Sequence, residues 1–346
     1  MTNVPLDCVV EDRGGVVENR HLIHAAVATA TGELLYAVGD PSRLTLIRSA
    51  AKPAQSVAVL EALASPSPDS TLPPNFSLTA EDIALMSASH SSEDRHLAHA
   101  CSLLQRGGNS PADLKCGGHP AISTSVNEAW IRQGITPEGV HNNCSGKHAG
   151  MLAAARALAA DTDYHLPSHP VQLRVTGVVE DLISHLGEVK WAVDGCNLPA
   201  PAMPLTSLAA MYAAFAAADA SRGGREAEMA RVFDAMHDHP LLVSGTGRFC
   251  AAVARIPGVV GKVGADACYG VGVRAAGREM GIAVKVEDGN MDILYAAVAE
   301  ILERLGIGSE EERRGVKEFH QAERRNTAGV KVGLVTYPFV LRDMQV

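Results

Sequence analysis

Sequence patterns typical of strands lie at the two ends of this 346-residue chain, and patterns typical of helices fill the middle. β-Branched and aromatic residues gather in short runs before residue 40 and again after residue 245, which predicts strands there. The connections between the first strands are short, and residues 30–32 form a predicted hairpin turn, so we expect antiparallel pairing. The predicted strands cover residues 6–10, 21–29, 33–38, 249–256, 259–263, 269–274 and 282–286.

From residue 49 to about residue 237, apolar residues instead recur at the spacing of helices. Leu97, Cys101 and Leu104 are one such series, and an amphipathic helix is also predicted at residues 291–305. Strand runs and helix runs that separate along a chain are typical of α+β proteins. We therefore predict a mainly antiparallel sheet built from both chain ends, with an inserted helical subdomain.

The predicted architecture is one unit, residues 1–346, in two parts. The sheet subdomain takes residues 1–48 and 245–346, and the helical subdomain takes residues 49–244. The cleft between the two parts is the place where we expect a small ligand to bind.

Charge and composition exclude several classes of function. The net charge is −9 and no run of Lys or Arg occurs, which argues against a nucleic-acid partner. The longest uncharged stretch, residues 196–218, contains three prolines and leaves a helix too short to span a membrane. The first residues lack the basic and apolar regions of a signal peptide, so we expect a cytoplasmic protein with no membrane partner.

One segment concentrates reactive side chains at a predicted helix start. Cys144, Lys147 and His148 lie within five positions, and Asp194 and Cys196 offer a carboxylate and a second thiol elsewhere. A thiol at a helix N-terminus has a lowered pKa, and such groups together can bind a soft or borderline metal. A lysine ligand is unusual because the amine must lose its proton. Spacing alone therefore favours two buried cysteines and a surface lysine over a metal site.

Ser49 and Lys52, three residues apart, form a second candidate site. At this spacing both side chains share one face if a helix begins here, and a neutral lysine can activate a serine hydroxyl as a nucleophile. Pro53 supports a helix start, because proline is tolerated in the first turn of a helix. The alternative is coincidence, since S-x-x-K is a frequent tetrapeptide.

Three further segments have both a structural and a functional interpretation. Ser89 and His90 precede a hydroxyl-rich turn that caps the next helix, and capping alone does not account for these two residues. Lys262 interrupts an apolar strand, where a solvated lysine is the ordinary interpretation. The glycine-rich residues 244–248 lack the lysine of a P-loop. They are interpreted as a tight loop beside a cleft, where glycine lets a ligand approach the backbone.

Taken together, these motifs resemble those of the L-asparaginase II family, the group typified by the inducible rhizobial asparaginase rather than by the threonine-dependent bacterial enzymes. Matching motifs span about three quarters of the chain in the same order. They lie at residues 14–21, 48–53, 88–91, 116–120, 143–148, 194–196, 245–248 and 262–265. The resemblance implies a fold like that of serine β-lactamases and glutaminases, in which S-x-x-K also stands at a helix start.

The resemblance implies a hydrolase that converts L-asparagine to L-aspartate and ammonia. Ser49 resembles the family's nucleophile and Lys52 its base, and Ser89 with Lys262 resembles a second Ser-Lys pair. Two lysines in one cleft lower each other's pKa, so that one of them can act as a neutral base.

The resemblance also implies a bound zinc ion, held by Cys144, Lys147 and Cys196 with Asp194 beside it. This implication reverses the preference drawn from spacing alone. For the oxyanion, the candidate donors are the backbone of the 246–247 turn or the N–H of the proposed nucleophile. We expect substrate contacts from Arg48, His90, Asp194, Gly245, Thr246 and Gly247.

Two other functions stay open on the sequence. One is a related serine amidohydrolase that acts on glutamine or another small amide, because one methylene changes binding by only about 1–3 kcal/mol. The other is a non-catalytic protein that binds an amino acid or a metal. We expect L-asparagine as the small-molecule partner, and a homodimer, because oligomers are most often symmetric pairs.

Overall fold

The computed structural model describes residues 7–275, 277–320 and 322–345. Leu6, with which the first predicted strand begins, lies outside the described residues. Strands occupy both ends of the chain, as predicted, and a few lie in the middle. Their bounds are β1 Cys8–Arg13, β2 Val16–Ala28, β3 Leu34–Val38, β4 Leu44–Leu46, β5 Lys190–Val193, β6 Pro199–Pro204, β7 Val259–Gly264, β8 Cys268–Val273, β9 Met280–Val286, β10 Glu323–Arg325, β11 Lys331–Thr336 and β12 Arg342–Asp343.

Most of these strands form one antiparallel sheet. Its order is β10-β11-β1-β2-β9-β8-β7, with β3 beside β2 and β12 beside β3. The long strand β2 joins the two halves of the sheet: residues 16–22 pair with β1, whereas residues 25–28 pair with β9 on one edge and β3 on the other. Among the described strands every pair is antiparallel, which confirms the predicted α+β class.

Helices fill the middle of the chain and cover both faces of the sheet. Short 3-10 turns precede several of them, at Arg48–Ala51 and Gly139–His141 among others. The α-helices are α1 Lys52–Ala64, α2 Ala80–Met86, α3 Asp94–Arg106, α4 Thr124–Gln133, α5 Ser145–Ala157, α6 Pro170–Ile183, α7 Leu205–Ala217, α8 Gly224–Asp238, α9 Pro240–Val243, α10 Phe249–Val253, α11 Met291–Arg304 and α12 Arg314–Lys317.

Alternate residues of the central strands differ in size, and this difference sets the layers. In β8, Tyr269 and Val271 belong to the hydrophobic core that includes α11. Gly270 and Gly272 face the opposite side of the sheet, where a Cβ at either position would meet Tyr212 of α7. Successive residues of a strand face opposite sides of a sheet. The alternation therefore places the closely packed helix α7 on one face and the apolar core that includes α11 on the other.

Two segments depart from the prediction. Residues 249–256, predicted as a strand, begin instead with helix α10. A short buried apolar run has no periodicity that separates helix from strand, and its alanines favour the helix. Strands β5 and β6 lie inside the range assigned to helices, and they form a small sheet together with β4. The prolines in β6 argue against a strand in the sequence, because proline cannot donate a hydrogen bond to a neighbouring strand.

The chain after Glu310, for which the sequence analysis predicted no individual strand or helix, completes one end of the main sheet. Strands β10 and β11 extend it beyond β1, and β12 pairs with β3. Helix α7 lies within the predicted helical subdomain but packs on β8 and β9, and the subdomain boundaries stay a prediction. No helix in the three described ranges has both the length and the apolar character that a bilayer crossing needs.

We expect Gly281→Ala to destabilise the protein. A Cβ at Gly281 of β9 would overlap the backbone of Ala209 in α7, and overpacking of this kind costs about 1–3 kcal/mol. The matched control is Gly177→Ala in α6, where a Cβ meets no atom within 4 Å. Alanine there should stabilise the helix by about 0.5–1 kcal/mol. Urea unfolding followed by circular dichroism gives both values, and equal effects at the two sites would contradict the packing described above.

Candidate active site

The Ser49 turn is held between the sheet and α7. Ser49 lies in the 3-10 turn that leads into α1, and Pro53 occupies the first turn of that helix, as predicted. The Tyr212 hydroxyl of α7 donates a hydrogen bond to the Ala50 carbonyl at 2.8 Å. Arg48 has a φ of 50°, a left-handed conformation that costs free energy in a residue with a side chain and is concentrated at functional sites.

Two fully buried lysines meet at the hydroxyl of Ser89. Lys262 of β7 donates to Ser89 Oγ at 2.7 Å and to the Val263 carbonyl at 2.7 Å. Lys52 donates to Ser89 Oγ at 3.2 Å, to Cys144 Sγ at 3.1 Å and to the carbonyl of the residue before Ser89. Within the described residues, neither lysine forms an ion pair with a carboxylate. The positive charge of the pair is therefore compensated only in part.

This arrangement shifts the protonation of Lys262. Burial, followed by the neighbouring Lys52, lowers the pKa of Lys262 from its usual value to about 7. A large part of the molecules then carry a neutral Lys262 amine at neutral pH. The Lys262 amine can accept a proton, and Ser89 links it to Lys52.

Lys52, Lys262 and Ser89 form what we call the lysine network. Ser49 makes no hydrogen bond to this network. Its side chain is partly exposed, and among residues 7–275, 277–320 and 322–345 its hydroxyl has no hydrogen-bond partner. The structure thus brings Ser49, Lys52, Ser89 and Lys262 into one region, but both lysines bond directly to Ser89 and not to Ser49. A free serine hydroxyl at the surface of a cleft is accessible to a ligand.

Two cavities meet at Ser49. The larger, which we call the Arg248 cavity, has a volume of about 330 Å³. The smaller, which we call the Asp194 cavity, has a volume of about 190 Å³. The Arg248 cavity is lined by Ser49, Ser89, Ile122, Asn143, Arg248, Val263, Gly264, Ala265, Met291, Asp292 and Tyr295. The Asp194 cavity is lined by Arg48, Ser49, His119, Asn142, Asn143, Cys144, Asp194, Gly195, Cys196 and Ala265.

A buried cluster of two thiols, an amine and a carboxylate forms one wall of the Asp194 cavity. Lys147 Nζ lies 3.0 Å from Cys196 Sγ and 3.8 Å from Asp194 Oδ2. Cys196 Sγ lies 3.1 Å from both Asp194 carboxylate oxygens. Lys147 is only 3% exposed, so the surface lysine favoured by spacing alone is wrong. We call Cys144, Lys147, Asp194 and Cys196 the thiol cluster.

The members of the thiol cluster change one another's pKa. The hydrogen bond from Cys196 lowers the pKa of Cys144 well below its usual value, and the two neighbouring ammonium groups add to this effect. The same hydrogen bond, together with burial, raises the pKa of Cys196. Burial acts to lower the pKa of Lys147, but the two thiols and Asp194 outweigh it and raise that pKa. Charge within the cluster is therefore largely compensated.

His148, the alternative ligand of the same segment, is engaged elsewhere. It is fully buried, and its Nδ1 shares a 2.7 Å hydrogen bond with the Tyr164 hydroxyl. The Tyr164 oxygen in turn accepts the Lys115 N–H at 2.9 Å. Burial lowers the pKa of His148 well below its usual value, so this imidazole is neutral.

Residues that the sequence analysis left without a role hold the cleft wall together. Asn142 donates to the Cys116 and Gly117 carbonyls at 3.1 and 3.0 Å and accepts the Cys144 N–H at 2.8 Å. Asn143 contacts His119 at 3.0 Å. The motif at residues 116–120 was part of the family resemblance, and its place beside the thiol cluster follows from these amide contacts.

Several predicted substrate contacts lie outside the two cavities. His90 is fully buried, with its Nε2 2.9 Å from the Ser145 hydroxyl. Gly245 packs against Ser91. Thr246 and Gly247 are exposed, and the Thr246 N–H donates to Glu93 at 2.7 Å. That bond makes the Thr246 N–H unavailable as an oxyanion donor. Of the predicted set, Arg48 and Asp194 do line a cavity.

Solved structures with low sequence identity to this chain include a β-lactamase and Mglu. The chain is similar to a β-lactamase from Mycobacterium bovis, with 16% identity and a TM-score of 0.43, over 82% of this chain and 94% of that chain. It is also similar to Mglu in its native form, with 18% identity and a TM-score of 0.35, over 83% of this chain and 64% of that chain. The chain thus spans less than two thirds of the length of Mglu.

Sequence comparison gives the family directly. No curated protein matches the chain. The sequence model of the L-asparaginase II family matches residues 9–337, which includes every residue of the lysine network and of the thiol cluster. The chain belongs to the L-asparaginase II family.

Proposed function

We propose that this protein hydrolyses L-asparagine to L-aspartate and ammonia, with Ser49 as the nucleophile. Membership of the family supports an amidohydrolase. The observation that carries the proposal is the unpartnered Ser49 hydroxyl, which lines a cavity together with Ser89, where two buried lysines meet. Amide hydrolysis needs an activated nucleophile and a proton for the leaving ammonia, and these groups supply both.

In the proposed reaction the Ser49 oxygen attacks the side-chain carboxamide carbon of the substrate. The Ser49 hydroxyl proton passes to Lys52 as Lys52 gives a proton through Ser89 to the neutral Lys262 amine. The C–N bond then breaks as the lysine network returns a proton to the departing nitrogen, which leaves as ammonia. Water attacks the resulting serine ester and releases aspartate. Ser89 links Lys52 to Lys262, so either amine can hold the proton during these steps. For the oxyanion we propose the Ser49 N–H, since Thr246 is engaged.

We also propose that the thiol cluster binds zinc through Cys144, Lys147 and Cys196. Two thiols and an amine beside a carboxylate make a donor set of the kind that zinc accepts. Among the described residues, no group of three His, Cys, Asp or Glu side chains is arranged as a metal site, so the proposal depends on the lysine as third ligand. Zinc, when bound, supplies a Lewis acid that can orient a substrate oxygen.

The rival functions of the sequence analysis have distinct signatures. An amidohydrolase specific for glutamine or another small amide would show its highest kcat/KM with that substrate in parallel ammonia assays. A non-catalytic protein would bind asparagine without ammonia release. The homodimer and the cytoplasmic location stay predictions.

Ser49→Ala should reduce kcat by at least about 10⁴-fold, as loss of a nucleophile does in serine hydrolases. Ammonia release from L-asparagine measures the effect, and a diazoketone analogue of asparagine should label Ser49 covalently, as mapped by peptide mass. The exposed Ser65→Ala is the control and should behave as wild type. Undiminished turnover in Ser49→Ala, or a label on Ser89, would refute this assignment.

The pH profile should report Lys262. The neutral amine is the active form, so kcat/KM should fall about tenfold per pH unit below about 7, where Lys262 becomes protonated, and level off above it. In Lys262→Met this acidic limb should disappear and activity should fall by about 10²–10⁴-fold. Circular dichroism checks that the variant is folded. An acidic limb that persists in Lys262→Met would show that another group titrates.

Metal analysis should find about one zinc per chain, because the cluster has a single set of donors. Cys144→Ala and Cys196→Ala should each lose the metal. Cys116→Ala is the matched control: Cys116 lies in the same apolar cluster as these two thiols but outside the proposed ligand set, so its loss should leave zinc in place. Full zinc in Cys144→Ala would refute the ligand set.

A further inference from the structure

Two opposite charges line the Arg248 cavity without a partner in the protein. Arg248 precedes α10 and is partly exposed, and Asp292 lies in the first turn of α11. Across residues 7–275, 277–320 and 322–345, neither side chain makes a hydrogen bond or an ion pair. A partly buried guanidinium with five donors normally binds a carboxylate. The free donors of Arg248 therefore face the cavity as binding groups.

The Asp194 cavity differs in this respect. Its arginine, Arg48, forms a 2.8 Å ion pair with Asp266. Its carboxylate, Asp194, lies beside Cys196 Sγ and faces Lys147. The charges of that cavity are satisfied within the protein, so a charged ligand gains less there. The Arg248 cavity holds one free positive charge and one free negative charge.

An amino-acid amide has the matching chemistry. Its head carries one carboxylate and one ammonium, and its other end carries the carboxamide that a nucleophile attacks. Ser49 and Ser89 line the same cavity as the two free charges. Its volume of about 330 Å³ is near the lower end of the range of about 300–1,000 Å³ typical of ligand pockets. A small zwitterion fits both the charge and the size.

We propose that Arg248 binds the α-carboxylate and Asp292 the α-ammonium of the substrate, while its carboxamide lies at Ser49. The proposal rests on the amidohydrolase function proposed above. It places the amino-acid head in the Arg248 cavity, although Arg248 and Asp292 are not among the six residues from which the sequence analysis expected substrate contacts. Arginine forms two parallel hydrogen bonds to a carboxylate, so Arg248 fixes the orientation of the head as well as its charge.

Truncated substrates test each contact separately. Succinamate is L-asparagine without the α-ammonium, and β-alaninamide is L-asparagine without the α-carboxylate. Arg248→Gln should lower kcat/KM about 10- to 100-fold for L-asparagine and succinamate, since a hydrogen bond between charged groups contributes about 1.5–3 kcal/mol. The kcat/KM for β-alaninamide should stay within about threefold of the wild-type value, because that molecule has no carboxylate for Arg248 to bind. Most of the change should appear in KM.

Asp292→Asn should show the complementary pattern. L-Asparagine and β-alaninamide should lose about 3- to 10-fold in kcat/KM, a smaller effect because Asp292 is exposed and solvent screens its charge. Succinamate should be unaffected. Where turnover of an analogue is too slow to measure, its inhibition constant against L-asparagine replaces kcat/KM. The controls are the exposed Arg255→Gln and Asp69→Asn, which lie outside both cavities.

An equal loss with all three substrates in Arg248→Gln would overturn the proposal. Arg248 contributes, after burial and Lys52, to the lowered pKa of Lys262, and an effect through that amine does not depend on the head of the substrate. The head-group proposal would also be overturned if Arg248→Gln and Asp292→Asn had the same kcat/KM values as the controls. The proposed hydrolase function would still stand in that case. If wild type releases no ammonia, that function fails instead. Calorimetry with L-aspartate then tests the head site, and affinity equal to wild type in Arg248→Gln would refute it.

Discussion

The contact between two buried amines and one serine hydroxyl is the interaction on which the site depends. Burying a charged amine without a carboxylate is costly, and the cost is avoided when one amine gives up its proton. Lys52 comes from the start of α1 and Lys262 from β7, while Ser89 lies after α2. Three separate parts of the chain must therefore pack together before the lysines can meet. The lowered pKa of Lys262 is a consequence of that packing.

Small residues in the sheet make this packing possible. Gly270, Gly272 and Gly281 let α7 approach β8 and β9 closely, because any side chain there would overlap the helix. From that position Tyr212 of α7 reaches the Ala50 carbonyl and holds the Ser49 turn. A loss of close packing between helix and sheet would thus move the turn that carries Ser49, the proposed nucleophile. The contacts of α7 with β8 and β9 therefore stabilise the fold and also fix the position of Ser49.

Sequence patterns predicted the fold class and most strands, because β-branched runs and helical spacing occupy different parts of the chain. They missed α10, since a short buried run of alanines and apolar residues fits either structure. They also placed substrate contacts on residues 245–247, because glycine-rich loops often approach ligands. The structure uses Gly245 to pack against Ser91 and places Arg248 in the cavity. A lone arginine after such a loop has no local pattern that indicates a binding role, since its role depends on α11, which lies more than forty residues further along the chain.

Charge compensation separates the two cavities into different chemical environments. In the thiol cluster, Lys147 has two thiols and a carboxylate around it, so its ammonium is stable and its pKa is raised. In the lysine network, the direct partners of Lys262 among the described residues are a hydroxyl and a carbonyl. Burial and the neighbouring Lys52 therefore lower its pKa. General acid–base catalysis at neutral pH is most efficient with a group whose pKa is close to 7. Lys262 meets that condition and Lys147 does not. We therefore place the proposed acid–base chemistry on the side of Ser49 that faces Arg248. Zinc binding at the thiol cluster requires Lys147 to lose the proton that its neighbours stabilise.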